Sequence, residues 1–176
     1  MRLRRKPKAL STLMENQHIV IFKPEDKRGM WKDFFGNNNP IYVELGTGKG
    51  KFIVESSLKY PEINFIGIDS KYDVLYMALK KALDAEVKNL ALLPFNVEYI
   101  ENVFDKNEVS RLFINFSDPW PKARHAKRRL TNVRFLEKYK TFLKDGAFII
   151  FKTDNRPFFD YSIEQFKEAN FEIIDI

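Results

Sequence analysis

The stretch Ile41 to Lys51, I-Y-V-E-L-G-T-G-K-G-K, decides the fold. Its first five residues have the apolar, aromatic and β-branched character of a strand. Gly46, Gly48 and Gly50 then mark a turn whose backbone is open to close approach and free to take φ > 0. From Lys51 to about Lys59 the pattern turns helical. Strand, glycine turn and helix in succession open a βαβ unit, and the alternation continues outward. Ile63 to Ile68 and Leu90 to Phe95 read as the second and third strands, and Arg111 to Phe116 as the fourth. Ala147 to Phe151 follows as the fifth, after a turn at Asp145-Gly146, and Phe171 to Ile176 as the start of a sixth. Between them, Val74, Leu75, Ala78, Leu79 and Ala82 recur at helical spacing within Tyr72 to Asp84. Phe135, Leu136, Tyr139, Phe142 and Leu143 form a second such face, and Phe158 to Ala169 reads as a further helix. Near-continuous apolar strands alternating with helices predict an α/β fold, a doubly wound and mostly parallel sheet with helices on both faces. Residues 1–30 fit the alternation poorly and are expected to be a basic N-terminal arm or helix before a domain spanning 31–176.

With 176 residues, 44% of them hydrophobic, the chain can bury a core without staples. It has no Cys, which excludes disulfides, thiol nucleophiles and thiolate metal sites. His18 and His125 are too few for a histidine metal site, so no metal is expected. No signal peptide and no apolar run of membrane length are visible, which reads as a soluble, cytoplasmic protein with no membrane contact. The net charge of +6 is unevenly spread. Met1 to Leu10 carries five basic residues and no acid, and Trp120 to Lys144 carries nine against Glu137 alone. The remainder is net negative, so positive charge is concentrated where a polyanion would bind. Lys122 to Arg129, K-A-R-H-A-K-R-R, is the densest run, and its self-repulsion would be relieved by an acidic partner.

Parallel sheets bind ligands beyond the carboxyl ends of their strands, near the point where the strand order reverses. The residues just past each strand therefore matter most. After the first comes Glu44-Leu-Gly46-Thr-Gly48-Lys-Gly50. The dinucleotide fingerprint G-x-G-x-x-G would need glycine where Lys51 stands, and the phosphate-loop spacing is absent. Asp69 comes after the second strand, where a carboxylate either accepts from ribose hydroxyls or caps the next helix. Asn96 comes after the third and, taken alone, reads as a turn residue. After the fourth comes Asn115-Phe116-Ser117-Asp118-Pro119-Trp120-Pro121-Lys122, in which two prolines fix the backbone around Trp120. There Trp120 could stack on a flat base while Asp118 accepts from its N–H donors, or Trp120 could simply plug the core. Lys152-Thr153-Asp154-Asn155 lies after the fifth.

The glycine loop, E-x-G-x-G-x-G, resembles the first motif of Rossmann-like (class I) S-adenosylmethionine-dependent methyltransferases. Phe116 to Leu130, F-S-D-P-W-P-K-A-R-H-A-K-R-R-L, is more specific and resembles the signature of tRNA (guanine-N7-)-methyltransferases. The likeness extends from the basic start Met1 to Pro7, through Glu44 to Gly50, to F-K-T-D-N-R at Phe151 to Arg156. It implies methyl transfer from S-adenosylmethionine to N7 of guanine 46 in the tRNA variable loop, forming 7-methylguanosine. It implies a donor site of Glu44, Gly46, Gly48, Gly50, Asp69, Asn96 and Asp118, with Asp118 also catalytic. Lys122 and Asp154 would contact the substrate, and Arg124, His125, Lys127, Arg128 and Arg129 the RNA. Position 69 is more often Glu in that family. The family also carries a further segment with a Thr-x-x-Glu motif, so the chain is expected to be C-terminally short and to lack the last strand segment. No obligatory protein partner is evident, which leaves a monomer or homodimer.

Other readings remain open at this point. The same fold could methylate a protein or a small molecule, although the concentrated charge argues against the latter. A C-terminally short chain could bind RNA through this fold without transferring a methyl group. DNA binding has the least support, because no groove-reading pattern is present.

Overall fold

Strand β1 (Ile41–Leu45) is the middle of five, flanked on one side by β2 (Asn64–Asp69) and β3 (Leu90–Pro94) and on the other by β4 (Val109–Asn115) and β5 (Leu143–Lys152). All four pairings are parallel. This computed structural model describes residues 6–176, so Arg2, Arg4 and Arg5 of the basic start lie outside the described residues. The order β3-β2-β1-β4-β5 makes the fold a doubly wound α/β sheet, with its switch point between β1 and β4.

Alternation along the strands divides the core. Val43, Leu45, Ile66, Ile68 and Leu93 face α2 (Trp31–Phe35), α5 (Val133–Lys140) and α6 (Arg156–Glu168), whose Trp31, Tyr139 and Phe166 close that side. Phe65, Leu90 and Leu92 face the other way, onto Ile53 of α3 (Lys51–Lys59) and Leu75 and Leu79 of α4 (Tyr72–Asp84). Each such fully buried side chain is worth about 1.5–3 kcal/mol relative to exposure. The N-terminal residues share this second layer. Helix α1 (Ala9–Met14) buries Ala9 and Leu13, and Val20 bridges to Leu92 of β3.

Two expectations change. The chain from Phe171 to Ile176 forms no strand. Asn170 takes φ +62° just past α6, Phe171 packs edge-on to Phe166 at 5.9 Å, and Phe171 and Ile173 rest on the core cluster without forming a ladder with β5. The fifth strand begins earlier than Ala147. Val109 pairs with Leu143 and Arg111 with Phe148, so the Asp145-Gly146 turn is a bulge within the strand, with Gly146 at φ +75°.

Candidate active site

At the switch point the ends of β1 and β4 are joined by side chains. Glu44 is only 2% exposed. Its Oε2 accepts from Asn115 Nδ2 at 2.9 Å, and its Oε1 accepts from the Thr47 hydroxyl. Burial raises the Glu44 pKa from 4.5 to about 7, against the opposing pull of those two bonds and with a smaller push from Asp69. The glycine loop is tied to β2 as well. Gly46 N and Thr47 N both donate to Ile68 O, at 2.8 and 3.0 Å, and Gly48 N donates to Asp69 Oδ2 at 3.0 Å. Asp69 Oδ1 accepts from Lys71 N at 3.0 Å, so this carboxylate serves the loop and the entry to α4 together.

These strand ends surround a cavity of about 430 Å³. Gly46, Asp69, Asn96, Asp118 and Arg128 line it, five of the residues expected at a ligand or substrate site. Asn96 Oδ1 accepts from Glu98 N at 3.0 Å, and Asp118 Oδ1 from Trp120 N at 3.2 Å. Glu44, Gly48 and Gly50 brace the loop without reaching the cavity wall, and Lys122, Arg124, His125, Lys127, Arg129 and Asp154 also stand off it. A second cavity, about 570 Å³ between His18 and the end of α4, opens at the amino end of β3. Among the described residues, no three His, Asp or Glu side chains are placed to hold a metal ion.

Residues 38–176 match a family model described as "Putative methyltransferase". The tRNA (guanine-N(7)-)-methyltransferase of Listeria monocytogenes is 49% identical over 170 residues, which cover 97% of this chain and 79% of that protein. Its counterpart from Bacillus subtilis is 48% identical over 168 residues, covering 96% and 79%. The chain belongs to the tRNA (guanine-N(7)-)-methyltransferase family. Solved structures show the same fold at low identity. A SAM-dependent methyltransferase from Aquifex aeolicus aligns with a TM-score of 0.60 at 18% identity, covering 98% of this chain and 92% of that one. An antibiotic-related methyltransferase aligns with a TM-score of 0.64 at 19% identity, covering 86% and 76%.

Between Phe116 and Leu130, the loop after β4 is held in an unusual shape. Phe116 and Trp120, two residues either side of Asp118, have φ of +52° and +43°. Bulky residues rarely adopt this left-handed backbone, and neighbours must hold them there. For Trp120 the neighbours are the basic 3-10 turn Ala123–Arg128 and the residue after it. Arg129 donates from Nε to Pro119 O at 2.9 Å, and from Nε and Nη2 to Trp120 O at 3.2 and 2.9 Å. Its guanidinium lies 4.3 Å from the Tyr161 ring of α6. Arg128 lies 5.0 Å over the Trp120 indole, and His125 meets the same ring edge to face at 5.6 Å. Trp120 therefore lines the cavity and is not a core plug.

Sequence reasoning misses several of these parts. Asn115 opens the cluster after the fourth strand, but nothing in the sequence gives it a role, although it carries the bond to Glu44. Glu98 and Arg134 form an ion pair on the cavity rim, and Arg134 Nη2 also reaches Lys127 O at 2.5 Å. Burial of Phe135 beneath the cavity is visible as helical periodicity, but its place in the site is not.

Proposed function

We propose that this protein transfers a methyl group from S-adenosylmethionine to N7 of guanine 46 in the variable loop of tRNA, forming 7-methylguanosine. The observation that carries the reading is the convergence of Gly46, Asp69, Asn96 and Asp118, from four successive strand ends, on one cavity. The names of the relatives support the base and the atom. With tRNA as substrate, the enzyme would act in the cytoplasm.

The residues present suit S-adenosylmethionine. A Cβ on Gly46 would meet nothing within 4 Å, so the loop backbone stands open to a ligand. Ser117 Oγ on the cavity wall and Asn115 Oδ1 behind it are buried without a partner, polar groups of the kind a bound ligand satisfies. Asp69 offers a pre-positioned carboxylate for ribose hydroxyls, and Asn96 a polar side chain at the adenine end. Glu44 contributes through the loop it braces and through its charge, which a cationic ligand would favour. Bound there, S-adenosylmethionine supplies a methyl group already activated by its sulfonium.

Guanine N7 carries an in-plane lone pair that is unprotonated at neutral pH, so the protein needs no strong base. Its task is orientation, for which well-placed groups supply most of the rate. Asp118 would hold the guanine by its N–H edge and stabilise the positive charge that the ring acquires. Asp154 and Lys122 would flank the entering nucleotide. Arg124, His125, Lys127 and Arg128 would meet RNA phosphates, giving affinity without sequence information.

The test is transfer of labelled methyl to unmodified tRNA and nucleoside analysis of the product, with a tRNA carrying adenine at position 46 alongside. The expected product is 7-methylguanosine, absent from the position-46 variant and reduced at least 100-fold by Asp118→Ala, on the order expected for loss of a transition-state contact. Label in another nucleoside, or transfer undiminished in Asp118→Ala, would overturn the reading.

A further inference from the structure

Phe116 combines two features that oppose each other in an unliganded turn. Its backbone is left-handed at φ +52°, a conformation that costs a bulky side chain and would suit Gly or Asn. The residue is 66% exposed, more than any other phenylalanine among the described residues. Trp120, the other left-handed aromatic of the loop, has its ring held by Arg128 and His125 and its carbonyl by Arg129. The Phe116 ring takes part in no aromatic or cation–π pair among the described residues. Its backbone, by contrast, is fixed, because Phe116 N donates to Lys152 O at 2.8 Å where β4 and β5 end. The result is a rigid main chain presenting an unpartnered flat ring on the wall of the cavity that Asp118 and Trp120 also line. Strain and solvent-exposed aromatic surface together at one residue mark a place where a ligand, not the fold, uses the side chain.

We propose that Phe116 is the stacking surface for the target guanine. The inference rests on the proposed function and deepens it by assigning the residue that receives the base when it leaves the tRNA stack. A base taken out of its stack needs a π-face to replace the neighbours it loses, and an aromatic side chain supplies one without regard to sequence. Asp118, two residues along, then reads the N–H edge of a base whose plane Phe116 has set. Stacking on the ring and bonding to the carboxylate confine the guanine in two different directions, which alignment of N7 for methyl transfer requires.

The experiment uses the full chain with Phe116→Gly, Phe116→Leu and Phe116→Tyr. Gly keeps and relaxes the positive φ while deleting the ring, Leu keeps apolar bulk, and Tyr keeps the π-face. Methyl-transfer kcat and KM for tRNA, S-adenosylhomocysteine affinity by calorimetry and thermal stability are read for each. The expected result is kcat/KM lower by 10-fold or more in Gly and Leu and within about threefold of wild type in Tyr, as stacking energies imply. S-adenosylhomocysteine affinity should stay within about twofold throughout, and the Gly variant should melt no lower than wild type. Wild-type transfer with an undiminished Gly variant would overturn the inference alone. So would loss of S-adenosylhomocysteine affinity in parallel with activity, which would assign the ring to the donor. A wild-type protein that makes no 7-methylguanosine would overturn the functional reading, and this inference with it.

Discussion

Asn115 Nδ2 donates to Glu44 Oε2 at 2.9 Å across the boundary between β1 and β4, where the strand order reverses. With the Thr47 hydroxyl on Oε1, this bond fixes the glycine loop to both halves of the sheet. The cost is a carboxyl held at 2% exposure, whose pKa burial raises from 4.5 to about 7. The folded protein thus holds the Glu44 proton more tightly than the unfolded chain does. Below pH 4.5 the group is neutral in both states and carries no penalty. Between pH 4.5 and 7 the unfolded chain loses the proton first, so stability falls as pH rises, by roughly 3 kcal/mol in all. Glu44→Gln removes this titration, and its amide can still meet Thr47 and Asn115. In chemical denaturation, the stability of wild type relative to Glu44→Gln should decline by about that amount from roughly pH 5 to pH 8. A difference that stays level would show that Glu44 is not the group responsible.

The sequence resemblance places Arg129 among the residues that meet RNA, yet its Nε and Nη2 are committed to the carbonyls of Pro119 and Trp120. A planar guanidinium can serve both carbonyls at once, and an ammonium group cannot. Arg129→Lys should therefore let the loop carrying Asp118 relax. Charged hydrogen bonds of this kind are worth about 1.5–3 kcal/mol, so kcat should fall roughly tenfold or more. KM for tRNA and the slope of log KM against log salt should change little. Loss of a phosphate contact would do the reverse, raising KM and lowering that slope by about 0.9. A changed salt slope with unchanged kcat would return Arg129 to the RNA interface. Tyr161→Phe, which keeps the ring under the guanidinium, should behave like wild type in kcat.

The difference between those two roles explains what was legible in the sequence. Spacing of apolar residues placed β1, α3 and α4 at their observed bounds, because each buries one regular face. Composition placed positive charge on the segment around Ala123–Arg128. What an arginine does there depends on which carbonyls the backbone turns toward it, and that depends on positive φ at Trp120, a non-glycine residue that gives no sequence signal. The sixth strand failed for a similar reason. Phe171 to Ile176 has strand-like residues, but composition does not make a strand without a ladder partner, and here Phe171 packs against Phe166 of α6 instead. Glu44 was legible as an acid before a glycine loop, whereas its burial and its bond to Asn115, seventy-one residues away, were not.

The glycines of the loop separate folding from ligand binding. Gly50 has φ +83°, and a Cβ there would lie 2.5 Å from Ala78 Cβ and 2.8 Å from Ala78 Cα. The second contact is with backbone of α4 and cannot be relieved by a side-chain rotation. Gly50→Ala thus forces α3 and α4 apart and adds left-handed strain, together about 3 kcal/mol or more. For a chain of this length that lowers the melting temperature by roughly 6–12 °C. Gly46 has φ +71° and open space around its Cβ direction, on the cavity wall. Gly46→Ala should cost only the backbone strain, about 1–2 kcal/mol, while placing a methyl group where the methyl donor is expected to lie. Calorimetry with S-adenosylhomocysteine should then show Gly46→Ala binding at least tenfold more weakly than wild type. Gly50→Ala, measured well below its melting temperature, should lose less affinity than Gly46→Ala despite being the less stable protein. The opposite order of affinities would mean that the donor does not approach the loop at Gly46.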